Sequence, residues 1–144
     1  MSVIVTVPTH YKYLLKTKVI DEANDVFVII LMNPAFTFNP STHINLAAVT
    51  SSQLATGFGY TQNGKTLSGV SLIENRVTGI ASTLWNDVSW TASGGSIGST
   101  GSAIIYNNTV TEKPIVMCID FGTDCVAPDG FILQVKTIGI NITG

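Results

Sequence analysis

The run VFVIILM, from Val26 to Met32, constrains the fold of this chain more than any other segment. It is apolar and largely β-branched throughout, and it is bounded by Asp25 on one side and Asn33-Pro34 on the other. A span of that length falls well short of a bilayer. An amphipathic surface strand would alternate with polar residues, so an unbroken run predicts a strand buried on both faces. Such a strand needs covering layers on both sides, which points to a layered β domain.

The rest of the chain supplies those layers. Lys65–Ile73, Val77–Trp85, Val88–Thr91, Ala103–Tyr106, Pro114–Asp120 and Phe131–Thr137 are short stretches rich in β-branched or aromatic residues and separated by polar turns. Strands at this spacing predict a mainly β, antiparallel sandwich or barrel-like domain spanning residues 1–144. One or two short helices are expected near the N-terminus. The first starts with Thr9 as N-cap and runs through Tyr11, Tyr13, Leu14, Leu15 and Lys18, and the second covers Leu46–Ala55. Asn63-Gly64 marks a hairpin turn, because both residues tolerate positive φ. The Gly/Ser stretch Ser93–Ser102 reads as a mobile loop at one end of the sheet. Residues 1–8 form an extended N-terminal arm able to add a strand to another molecule, or equally an edge strand of the domain's own sheet.

Charge narrows the classes of partner. Only 11% of the residues are charged and the net charge is −2, so Ser, Thr, Asn and Gly cover a surface that Lys, Glu, Asp and Arg normally cover. Seven basic residues spread along the chain exclude a generic nucleic-acid surface. The N-terminal MSVIVTVPTH lacks the features of a signal peptide, so synthesis in a cytoplasm is expected, with Cys118 and Cys125 as reduced thiols. A weakly charged surface repels neighbours poorly and suits a subunit buried against others.

The chain carries no convincing chemistry. There is no G-x-S-x-G elbow, and His10 and His43 stand in an early helix and a loop without triad partners. Asp120, Asp124 and Asp129 fall close together, yet their spacing departs from a calcium loop, and Asp120 ending a strand and Asp129-Gly130 making a turn account for two of them. The Gly-rich stretch lacks the lysine of a phosphate loop. The N-x-[ST] triplets at Asn107 and Asn141 are chance matches without a secretion signal. No catalytic residue, cofactor or metal is therefore expected. Interface candidates are Val3, Ile4, Val5 and Val7 of the arm, Phe36 and Phe38 of the Asn33–Pro40 loop, and one of Trp85 and Trp90, whose odd spacing on a straight strand sends them to opposite faces. A turn at Asn86-Asp87 would instead bring both tryptophans inside; for Phe36 and Phe38 the separate alternative is that they cap the core.

Taken in order, GYTQNGKTL (59–67), DVSWTAS (87–93), AIIYNNT (103–109), PIVMCIDFG (114–122) and DGFILQV (129–135) resemble the small virion structural proteins of tailed bacteriophages. A short helix followed by the strand Asp25–Leu31 fits the same pattern, whereas the longer Gly/Ser stretch and the cysteine pair depart from it. The resemblance implies a head decoration (cement) or head-fibre base protein on the capsid surface, a homotrimer whose partner is the major capsid protein, with no membrane or direct nucleic-acid partner. A tail or collar component is the nearest alternative, and a carbohydrate- or receptor-binding module the alternative of another class.

Overall fold

A computed structural model describes residues 3–143 and shows a mainly β protein of antiparallel sheets with one short α-helix near the N-terminus. Its centre is a five-stranded sheet. β1 (Ile4–Thr6) leads into α1 (Thr9–Lys16) and then β2 (Phe27–Met32), followed by the short β3 (Lys65–Thr66). After β4 (Ser71–Asn75), β5 (Ile80–Trp85) and β6 (Val88–Thr91) come the two long strands β7 (Ile97–Asn107) and β8 (Ile115–Ala127), then β9 (Ile132–Val135) and β10 (Ile138–Thr143). The large sheet has the order β1-β8-β7-β2-β3, beside a three-stranded sheet β10-β5-β4 and a two-stranded sheet β6-β9. No closed barrel forms among the described residues.

β2 is buried along its whole length, as its uninterrupted apolar run predicts. Its alternate residues enter two different cores, because successive side chains of a strand point to opposite faces. Phe27, Ile29 and Leu31 join α1 residues Tyr11 and Leu14 and the tryptophans of the smaller sheets. Val28, Ile30 and Met32 face the other way, against Val49, Ile104, Tyr106 and Ile115, under a lid made by Phe36, Phe38 and Leu46. The segment between β2 and β3 thus supplies the second covering layer. Where a helix over Leu46–Ala55 is expected, it makes only two 3₁₀ turns, Leu46–Ala48 and Thr50–Ser52. The first is capped by Asn45, whose Oδ1 accepts from the Ala48 N–H at 3.2 Å. The backbone then turns to bond β2 itself, Leu54 N–H reaching the Leu31 carbonyl at 2.9 Å, and a longer helix would forfeit that contact.

Helix α1 starts one residue earlier than expected, with Pro8 at the N-cap position and Thr9 already helical. It also stops short of Lys18. Lys18 adopts φ 63°, its N–H bonds the Leu15 carbonyl and the Val19 N–H bonds the Leu14 carbonyl. That pair of bonds is a Schellman ending, with a lysine where glycine is usual.

The Gly/Ser stretch is not a loop over its second half, since Ile97–Ser102 belongs to β7. It pairs with the continuation of β8 beyond Asp120, in a ladder whose register shifts between Gly98 and Thr100 and again between Thr100 and Ser102. Small residues allow that irregular, close approach. At Gly98 φ is 114°, and a Cβ would sit 2.6 Å from the Cys125 carbonyl oxygen. Thr100, fully buried, donates to the Met32 carbonyl at 2.6 Å and ties the extension back to β2. Asp120 therefore lies within a strand instead of ending one.

Asn63-Gly64 does make a turn, with Asn63 at φ 59°. Gly64 N–H bonds the Thr61 carbonyl, so Asn63 is the third residue of a four-residue turn. The expected strand Lys65–Ile73 breaks into β3 and β4, two strands of different sheets, and the expected Val77–Trp85 strand begins only at Ile80.

Candidate interaction surface

β1 forms an edge of the central sheet, Ile4, Val5 and Thr6 pairing with Asp120, Ile119 and Cys118 of β8. The N-terminal segment is thus an edge strand of its own sheet, and Met1 and Ser2 of the expected arm lie outside the described residues. Its apolar side chains are nevertheless open. Val3, Ile4 and Val5 are 62%, 58% and 50% exposed, while Val7 packs partly against the core. Among the described residues β1 pairs with β8 alone, so its outer side presents unpaired backbone groups beside exposed valine and isoleucine.

Phe36 and Phe38 are half-buried and cap the second core. His43 holds them there, its ring stacked on Phe36 at 5.3 Å and tilted against Phe38 at 5.7 Å. The same imidazole accepts the Asn39 N–H at Nδ1, over 2.9 Å, which fixes its orientation. The structure brings Phe36 and Phe38 to Ile4. All three line one groove of about 510 Å³ between β1, the Asn33–Pro40 loop and the extended part of β8. Asp120 and Asp124 make its acidic side, and Ser102 and Cys118 lie in it from the sheet.

The floor of this groove is polar in an unusual way. Ser102 Oγ is buried and has no hydrogen-bond partner among the described residues. The Cys118 thiol is pushed up to about 12, first by burial and then by the charge of Asp120. Both cysteines are free, and their places on β8 point them at different β7 partners, Ile104 and Thr100.

The tryptophans do not contribute to the surface. Trp85 and Trp90 are both buried, at 6% and 4% exposure, so the expectation that one of them faces outward is corrected. The chain breaks between them. Trp85 ends β5 in the three-stranded sheet and Trp90 lies in β6 of the two-stranded sheet, with Asn86 N–H bound to the Ser68 carbonyl and Asp87 Oδ1 accepting the Thr137 N–H. Trp85 packs on Phe27 with ring centroids 5.1 Å apart, and Trp90 lies 6.0 Å from Tyr60 beneath the Lys65 ammonium.

A second exposed element went unrecognised in the sequence. Every residue from Ser71 to Gly79 is exposed, so β4 and the turn into β5 form a hairpin standing clear of the protein on both faces. Leu72, Ile73 and Val77 are 58%, 49% and 96% exposed, and Arg76 is the one arginine of the chain. The signal was the mixed pattern SLIENRVTG, which has strand propensity but no face that alternates cleanly.

The remaining candidates for chemistry stay apart. Asp129 Oδ1 accepts the Gly94 N–H at 3.0 Å, and among the described residues no group of three His, Cys, Asp or Glu side chains converges to hold a metal ion. His10 pairs with Glu112 at 2.8 Å. Asn107 is fully buried, donating to Asp25 and accepting from the N–H groups of Thr109 and Val110, which makes it a structural residue instead of a modification site. No helix among the described residues is long and apolar enough to cross a membrane. Searches of protein-family models, curated proteins and solved structures find no match to this chain.

Proposed function

We propose that this chain is a structural subunit of a bacteriophage particle, a decoration protein that binds the capsid surface as a homotrimer and reinforces contacts between major capsid subunits. The observation that carries the reading is the pair of open, apolar edges on a weakly charged exterior. β1 with the residue before it offers Val3, Ile4 and Val5, and the β4 hairpin offers Leu72, Ile73 and Val77. Natural monomers usually blunt such edges with lysines, prolines or bulges, and an unblunted one favours pairing with other chains. The ordered strand motifs that resemble small virion proteins support the same reading. The mechanism is burial: contacts of roughly 1,600 Å² each, repeated over a shell, resist internal pressure through area and multivalency, without any bond being made or broken.

Quantitative mass spectrometry of purified particles, with the oligomeric state of the recombinant protein, tests the reading. A copy number that scales with the major capsid protein is expected. A small fixed number set by tail symmetry would move the protein to the tail or collar, and absence from particles would end the proposal. Within it, Ile4→Asp should lower occupancy and the heat resistance of the particle while the isolated protein stays folded.

A further inference from the structure

The chain carries both halves of a complementary contact on separate parts of its surface. One half is the tip of the β4–β5 hairpin, where Val77 is almost fully exposed and Arg76 has a side chain 87% exposed. The other is the groove lined by Ile4, Phe36 and Phe38 with Asp120 and Asp124 on its acidic side. No residue is shared between them, and they belong to different sheets.

We propose that the hairpin tip of one copy docks in this groove of a second copy, with Val77 on the apolar wall and Arg76 against Asp120 and Asp124. Three observations select this occupant. The charges match, because the chain's one arginine sits at the tip of a hairpin exposed from Ser71 to Gly79 and two carboxylates line the groove. Among the described residues Arg76 is held only by Glu74, through bonds of 3.1 and 2.9 Å in which both side chains are largely exposed, so exchanging that partner for a neighbour's carboxylates costs little. The groove is also large enough, since about 510 Å³ lies within the roughly 300–1,000 Å³ of clefts that bury a drug-sized ligand, which two side chains do not exceed.

The contact is head-to-tail, using different surfaces on the two copies, so it closes into a ring when the rotation permits and otherwise propagates. In this respect the inference rests on the self-association in the proposed function and assigns it a site.

Sedimentation of the full chain, wild type and charge-reversed, tests the contact. Both Arg76→Asp and Asp124→Arg alter exposed side chains, so the fold should persist, and a circular dichroism melt verifies it. Each single reversal should weaken self-association by about tenfold or more. The double variant Arg76→Asp/Asp124→Arg should restore it, because every copy then brings an acidic hairpin tip to a groove that carries an arginine, in a ring of any size. Monomeric wild type at every concentration overturns the contact. Wild-type association that neither reversal weakens, or that the double variant does not restore, also overturns it, while leaving particle stoichiometry to decide the proposed function separately.

Discussion

The Tyr11 hydroxyl donates to Glu22 Oε2 over 2.6 Å, and the other oxygen of that carboxylate accepts the Thr83 hydroxyl at 2.8 Å. One half-buried glutamate thereby fastens α1 to β5 of the three-stranded sheet, from the turn that precedes β2. Burial, with Glu22 adding to it, holds the Tyr11 phenol above its ordinary range.

Removing either end of this clamp should have unequal effects. Tyr11→Phe leaves a carboxylate that water still reaches and should cost about 1 kcal/mol. Glu22→Ala strands the Tyr11 hydroxyl in a side chain with 0% exposure, and should cost about 2–3 kcal/mol. Urea unfolding of the two variants against wild type measures the difference.

Tyr60 performs the work of a missing strand. β3 begins opposite Ile29, and the Leu31 N–H beyond it is satisfied by the Tyr60 hydroxyl at 3.0 Å, which donates in turn to Gln53 Oε1. Tyr106 joins the same network through Asn63 Oδ1 at 3.1 Å. Tyr60→Phe should therefore cost about 2 kcal/mol, by leaving a buried N–H unpaired. Tyr106→Phe should cost about half as much, because Asn63 retains the Gln53 amide. Amide hydrogen exchange at Leu31 should quicken in the first variant and stay slow in the second.

Alkali should destabilise the protein through the same buried groups. Cys118 and Tyr60 are both pushed up to about 12 from ordinary values of 9.0 and 10.0, and Tyr106 and Tyr11 are raised too, each mainly by burial. A raised native value means that the unfolded chain loses its proton first. The stability these groups contribute is whole below about pH 9 and disappears as pH climbs toward 12. Unfolding monitored from pH 7 to 11 should show a decline that begins near 9, and Cys118→Ala should flatten its first part. Thiol labelling at pH 8 should leave the buried Cys118 unmodified until the protein is denatured.

Two backbone positions should respond in opposite directions. Lys18 is exposed in a left-handed conformation, so Lys18→Gly should raise stability by about 0.5–1 kcal/mol. At Gly59, with φ 103°, a Cβ would run into the Thr91 carbonyl oxygen. Gly59→Ala should cost more than about 2 kcal/mol, whereas Gly79→Ala, in open space, should lose only about 1 kcal/mol. Thermal melts of the three variants supply the comparison.

The mainly β class, the doubly buried β2, strand β6 and the short first helix follow from local pattern alone. Apolar continuity in Val26–Met32, alternation in Val88–Thr91 and the i, i+3 spacing of Tyr11 and Leu14 are properties of neighbouring residues, and burial enforces them wherever the chain folds. Tertiary structure decided the rest. It drew Ile97–Ser102 into a strand because β8 continues beside it, an event no Gly/Ser composition announces. It placed both tryptophans inside by moving the chain from one sheet to another between them. It also assembled the groove from Ile4, Phe36, Phe38 and Asp124, residues whose proximity depends on β1 crossing to pair with β8. A sequence states which side chains seek burial. Only the pairing of distant strands decides which of them find it and which remain exposed on an edge for another chain to cover.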